Sequence, residues 1–189
     1  MAVPLNAPNV LTILRILLVP VLVVALLDQT DGGLLAAGVF AVASLTDAID
    51  GYLARSRDAV TTFGKLMDPI ADKLLIVAAL VALVSLARLE AWVAMVIIAR
   101  EFAVTALRVA AGTQQGIVMS ASSLGKLKTA AQVAMVLVLI AVHGHPLWVS
   151  LLVYGTVAIT VLSGADYFFG LRRGLNARSS ESGGVSPGA

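Results

Sequence analysis

TDAIDGYLARSRDAVTTFGKLMDPIADKLL, residues 46–75, sets Asp47, Asp50, Asp68 and Asp72 between two strongly apolar runs, LLAAGVFAVASL at 34–45 and LLIVAALVALVSLA at 74–87. Each run together with its half of this stretch is long enough for a helix across a bilayer, which needs about 20 residues. Asp47 and Asp50 are three apart and share one helix face; Asp68 and Asp72 are four apart and share another. The link between the two helices is short, so they run antiparallel. At the helical rise, Asp47 lies about 12 Å and Asp72 about 16 Å from the connected ends. The four carboxylates can therefore meet at one depth. An aspartate at the centre of a membrane costs about 2.5–3.5 kcal/mol, so four cost on the order of 10 kcal/mol before their mutual repulsion. Divalent cations offset both penalties. An all-oxygen donor set suits Mg²⁺ or Mn²⁺, and four carboxylates suffice for two ions. Gly51 and Gly64 leave room for a close approach, and Arg55 can meet a phosphate oxygen. Salt bridges from Arg55, Lys65 or Lys73 to single aspartates are the structural alternative. Pro69 is read only as a possible kink.

The surrounding chain supports a membrane setting. Of 189 residues 59% are hydrophobic and 13% charged, against roughly half and a quarter in soluble domains. Cysteine is absent, which excludes disulfides and thiolate metal sites. The first apolar run holds Arg15 and Pro20 and lacks a cleavage site, so it reads as a retained helix. Six spans are expected, at about 9–28, 34–55, 62–86, 91–111, 121–142 and 147–170. Together with a short interfacial segment at 1–8 they form one all-α integral membrane domain over residues 1–170. Residues 171–189 read as a polar, disordered tail. Arg55, Arg57, Lys65, Arg108, Lys126, Arg172, Arg173 and Arg178 fall in or near one set of connections and only Arg88 in the other. The positive-inside rule then puts both termini, and the acidic cluster, on the cytoplasmic side. Trp92 and Trp148 open their helices on the outer side, as belt residues do.

These residues resemble the signature of the CDP-alcohol phosphotransferase family, D-x2-D-G-x2-A-R-x8-G-x3-D-x3-D. Asp47, Asp50, Gly51, Ala54, Arg55, Gly64, Asp68 and Asp72 match it at every spacing. The resemblance implies a six-helix fold, a homodimer and a two-metal site open to the cytoplasm. Asp47, Asp50, Asp68 and Asp72 would bind the metals and Asp72 would act as general base. Asp50, Gly51, Ala54, Arg55 and Gly64 would line the CDP site. PNVLTILRILLVP at 8–20, IAREFAVTALR at 98–108 and SASSLGKLKTAAQ at 120–132 resemble the branch that transfers a phosphatidyl group from CDP-diacylglycerol to glycerol 3-phosphate.

The basic residues fit a phosphorylated acceptor. Arg100 sits deep in its helix, Arg108 lies about two turns further on roughly the same face, and Lys126 and Lys128 enter on the fifth helix. A dianionic phosphate needs such a pocket; serine or choline would not. Snorkelling accounts equally for Arg108 and Lys126, and Arg100 could pair with Glu101 or with the aspartates. Asn9, Thr12 and Arg15 share a face of the first helix, bordering the nucleotide or serving as packing. Asp166 reads as an interface anchor, and His143 and His145 as a solvated loop. Three rivals remain at this stage: an inositol phosphate acceptor, a phosphatidylglycerol acceptor as in cardiolipin formation, and a divalent-cation transporter. A transporter would carry charge through both halves of the membrane, whereas here the charges crowd one side.

Overall fold

A computed structural model describes residues 7–28, 33–56, 62–115, 123–144 and 146–182. The described residues form six helices and no strand: α1 (Ala7–Leu27), α2 (Leu34–Ser56), α3 (Thr62–Ser85), α4 (Ala91–Gln115), α5 (Ser123–Ala141) and α6 (Leu147–Ser182). Five lie within a few residues of the expected spans. The sixth differs. It runs through Ser182, taking in most of the segment expected as a disordered tail. Polarity was the basis of that expectation, but LRRGLNARSSES contains enough leucine, arginine and alanine to continue a helix already begun.

The helices close into a ring. Following the packing, α1 meets α2, α2 meets α5, α5 meets α6, α6 meets α4, α4 meets α3, and α3 returns to α1. Among the described residues α2 and α3 pack on each other less than either packs on α1.

Apolar and polar interiors occupy different levels. The buried core draws on Leu22, Phe40, Leu80, Leu83, Ile97, Met135, Ile140 and Val149. All lie toward the end where α1, α3 and α5 finish and α2, α4 and α6 begin. The buried polar side chains Arg15, Glu101, Lys128, Gln132, Thr160 and Ser163 lie further from that end, from mid-helix onward, with the buried Thr156 between the two levels. The bundle thus has a dry half and a polar half.

The turns at the dry end are locked. Gly33 takes a φ of 81°, and a Cβ there would stand 2.9 Å from the Ile140 carbonyl oxygen, so only glycine fits the approach of this turn to α5. Arg88 donates to the same carbonyl from Nη1 at 3.0 Å, and its Nη2 donates to His143 Nε2 at 2.7 Å. His143 is therefore tied to the turn between α3 and α4. That turn closes α3 with a Schellman motif: Arg88 N donates to Leu83 O, and Ala87 N to Val84 O. Ala87 occupies the left-handed position at φ 53°, where glycine is the usual residue.

The outside of the bundle is apolar. Leu17, Val24, Leu34, Leu45, Met95, Leu151 and Leu162 are all exposed, many by more than half their surface. Monomeric soluble proteins rarely expose large apolar patches. Leu124–Ala141 and Leu147–Gly170 are long and apolar enough to cross a bilayer. Shorter apolar stretches run through Ile13–Leu27, Leu34–Thr46 and Lys73–Ser85. Those three occupy the dry-end portions of α1, α2 and α3. Trp92 and Trp148 are exposed at the same end, with Trp92 stacked on Tyr154 at 6.1 Å.

Candidate active site

The acidic motif occupies the polar half. Asp47, Asp50, Gly51, Ala54 and Arg55 fall in the last ten residues of α2, and Gly64, Asp68 and Asp72 in the first eleven of α3. Asp47 lies about 14 Å before the end of α2 and Asp72 about 15 Å after the start of α3. The helix paths therefore carry both acidic pairs to similar distances from the 57–61 connection. Their side chains, and those of Asn9 and Thr12, lie outside the described residues, so the expected metal and CDP ligands are placed by helix and position alone. Arg15, the third member of the α1 set, is buried.

The described part of the site is a hydrogen-bonded cluster between α4, α5 and α6. Glu101 is its hub. Lys128 Nζ pairs with Glu101 Oε1, and both side chains are nearly enclosed. Gln132 Nε2, one turn beyond Lys128, donates to Glu101 Oε1 at 3.3 Å and to Thr160 Oγ1 at 3.4 Å. Arg100 Nη1 stands 3.6 Å from Glu101 Oε1, while Nη2 donates to Ser163 Oγ at 2.7 Å. Backbones of α4 and α5 are not close neighbours in the ring. Their long polar side chains bridge that distance. A buried carboxylate is tolerable only with such partners.

Arg108 lies two turns beyond Arg100 with its guanidinium 5.6 Å from the Tyr167 ring centroid. Gly164 lets the Arg100 side chain lie against α6, since a Cβ there would stand 3.2 Å from Arg100 Cγ.

The four basic residues expected at the acceptor phosphate thus separate. Arg100 and Lys128 are joined through Glu101, and Arg108 reaches the same α4–α6 seam. Lys126 is exposed, as expected two residues from a buried lysine on a helix. Charge among Arg100, Arg108, Lys128 and Glu101 remains net positive, which favours an anion. The sequence suggests Arg100 as the partner of Glu101; the closer partner in the structure is Lys128. Gln132, Thr160, Ser163, Gly164 and Tyr167 were not singled out from sequence. A signal for most of them existed: Thr156, Thr160, Ser163 and Tyr167 recur at helical spacing as a polar stripe along an otherwise apolar helix. Asp166 is exposed on α6.

Comparison with known proteins bears on most of the chain. Residues 5–162 match the family model described as CDP-alcohol phosphatidyltransferase. A Bacillus subtilis protein named CDP-diacylglycerol--glycerol-3-phosphate 3-phosphatidyltransferase is 43% identical, covering 86% of this chain and 93% of its own. A protein of that name from Rickettsia prowazekii is 34% identical, over 89% of this chain and 96% of its own. Another from Pseudomonas fluorescens is 44% identical over 55% of each.

Proposed function

The chain belongs to the CDP-alcohol phosphatidyltransferase family, and on that footing we propose that it transfers the phosphatidyl group of CDP-diacylglycerol to glycerol 3-phosphate, giving phosphatidylglycerophosphate and CMP. The observation that carries this reading is the 43% identity, along nearly the full length of both chains, to a protein named for that reaction. The positively charged α4–α6 seam supports the choice of a phosphorylated acceptor.

The chain's own residues divide the work. Asp50, Gly51, Ala54, Arg55 and Gly64 would line the CDP moiety, the small side chains admitting the nucleotide and Arg55 meeting a phosphate oxygen. Asp47, Asp50, Asp68 and Asp72 would hold two divalent cations, Mg²⁺ or Mn²⁺, because a set of carboxylates suits hard ions. Bound there, the cations would neutralise negative charge on the pyrophosphate. Arg100 and Arg108 would orient the phosphate of glycerol 3-phosphate, with Lys128, paired to Glu101, and the exposed Lys126 adding positive charge around it. Its primary hydroxyl oxygen then bonds to the phosphorus bearing diacylglycerol. Asp72 accepts the hydroxyl proton, and the bond to CMP breaks.

All six helices are read as spans. Among the described residues two carry long unbroken apolar stretches, since α1, α2 and α3 turn polar at the motif end, where water and substrate would enter, and α4 carries Arg100, Glu101 and Arg108. The lysine and arginine distribution supports a reading with that end, and both termini, on the cytoplasmic side of the cell membrane. CDP-diacylglycerol would enter from the inner leaflet with its acyl chains in lipid. The family resemblance also implies a homodimer.

The test is the purified protein with CDP-diacylglycerol, a divalent cation and labelled glycerol 3-phosphate. CMP release and labelled phosphatidylglycerophosphate are expected, with Asp72→Asn losing roughly 10²–10⁴-fold in rate while remaining folded. Normal turnover by that variant removes Asp72 from its role. Preferred use of inositol phosphate or phosphatidylglycerol would overturn the acceptor.

A further inference from the structure

Two hydrogen-bond donors are buried in the α4–α6 seam with no partner among the described residues: Arg100 Nε and the Tyr167 hydroxyl. Buried polar atoms are nearly always satisfied, so two unmet ones at a single seam call for a cause. Ser163 and Tyr167 are one turn apart on α6 and share a face. Ser163 accepts from Arg100, and the Tyr167 ring lies beneath Arg108. The two arginines are thus braced by residues of the same α6 stripe.

The unmet groups are of one kind. The guanidinium N–H can only donate, and the phenol has a hydrogen to give. Glu101, the nearby carboxylate, stands 3.6 Å from Arg100 Nη1 and is engaged by Lys128 and Gln132. Donors in excess between two cations are the complement of an anion with several acceptor oxygens, and a phosphate monoester has three. The ring alone does not account for tyrosine. Phenylalanine offers the same face to Arg108 without the cost of burying a hydroxyl unmet.

We propose that Tyr167 is a further ligand of the acceptor phosphate, its hydroxyl donating to one phosphate oxygen while Arg100 Nε donates to another. This rests on the acceptor reading given above and adds α6 as a third wall to a pocket otherwise assigned to α4 and α5. Glycerol 3-phosphate supplies the acceptors that the seam lacks. An acceptor alcohol without a phosphate leaves both donors unmet.

The experiment is steady-state kinetics of the full chain with Tyr167→Phe, which removes one oxygen and keeps the ring under Arg108. The KM for glycerol 3-phosphate rises about tenfold, as for loss of a hydrogen bond to a charged group. The KM for CDP-diacylglycerol and the thermal midpoint stay at wild-type values, because no bond within the protein is lost. Inorganic phosphate, used as an inhibitor competing with glycerol 3-phosphate, weakens by the same factor. Arg100→Lys, which keeps the charge but loses Nε, serves as the control. If Arg100→Lys raises the glycerol 3-phosphate KM while Tyr167→Phe alters neither that KM nor phosphate inhibition, Tyr167 is not a ligand and the acceptor site stands. If neither variant changes them, the acceptor reading fails and the proposal with it. Equal rises in both KM values, or a lowered midpoint in Tyr167→Phe, make the residue structural and overturn the proposal.

Discussion

Glu101→Gln removes the negative charge at the hub of the polar half and leaves Lys128 with a neutral partner. The two side chains are 11% and 8% exposed, so water reaches the stranded ammonium poorly. Breaking one partner of a buried ion pair costs about 3–5 kcal/mol. The Gln132 contact at 3.3 Å can survive in the variant, so the loss reports the charge rather than the hydrogen bond. For a chain of this size 1 kcal/mol moves the midpoint by roughly 2–4 °C, which puts the expected drop near 10 °C. Lys128→Met is milder, because Arg100 remains 3.6 Å from Glu101 and Gln132 still donates. The double variant removes both charges, and replacing a whole buried pair by neutral side chains is often close to neutral in stability. A coupling energy of at least about 2 kcal/mol is therefore expected in the double-mutant cycle. Unfolding of the four proteins is followed by circular dichroism in one detergent. Additive losses, with the double variant as damaged as the sum of the singles, would refute the pairing of Glu101 with Lys128.

Two further substitutions test other features of the described helices. Gly164→Ala places a methyl 3.2 Å from Arg100 Cγ and 3.6 Å from its Nε. The contact is near the root of the side chain, so the guanidinium must shift, and a severalfold higher KM for glycerol 3-phosphate is expected. Thermal stability changes little, because alanine's advantage of about 1 kcal/mol in a helix offsets the crowding. An unchanged KM would show that Arg100 adjusts freely. Ala87→Gly relieves a left-handed conformation that costs an L-residue roughly 1–2 kcal/mol, of which glycine's freedom in the unfolded chain removes about half. The thermal midpoint should rise slightly, and a fall would contradict the Schellman geometry at the end of α3.

The helices were legible because polar turns punctuate apolar runs. DQTDGG, the Arg88–Glu90 turn and HGHP each mark a boundary that the structure places within a few residues. The extension of α6 was not legible, since polarity argues for a tail while Leu171, Arg172, Leu175 and Ala177 favour continuing the helix. Spacing along α2 and α3 told which aspartates share a face, and the helix bounds keep that relation. Spacing could not tell that Lys128 meets Glu101. The two residues are 27 apart, and their meeting depends on the order of helices round the ring. Charge alone made Lys128 a phosphate ligand; packing shows it also as half of an ion pair. The α6 stripe was visible as a pattern, but its meaning depended on which helix it faced.

The segregation of dry and polar halves follows from solvent. A bilayer offers little hydrophobic reward for bringing helices together, since lipid tails are as apolar as leucine. Close packing must hold the dry half, and the locks at Gly33, Ala87 and Arg88 draw its turns onto one another. The motif end cannot be held in that way. A reaction on a charged nucleotide needs water, cations and room, so apolar packing there would close the site. Glu101, Lys128, Gln132 and Thr160 supply cohesion in its place through directional bonds that tolerate nearby water. Those same bonds leave Arg100 and Arg108 committed to the α6 side of the seam, where donors outnumber acceptors. On the proposed acceptor reading, the network that stabilises the polar half would also keep its positive charge directed at an incoming anion.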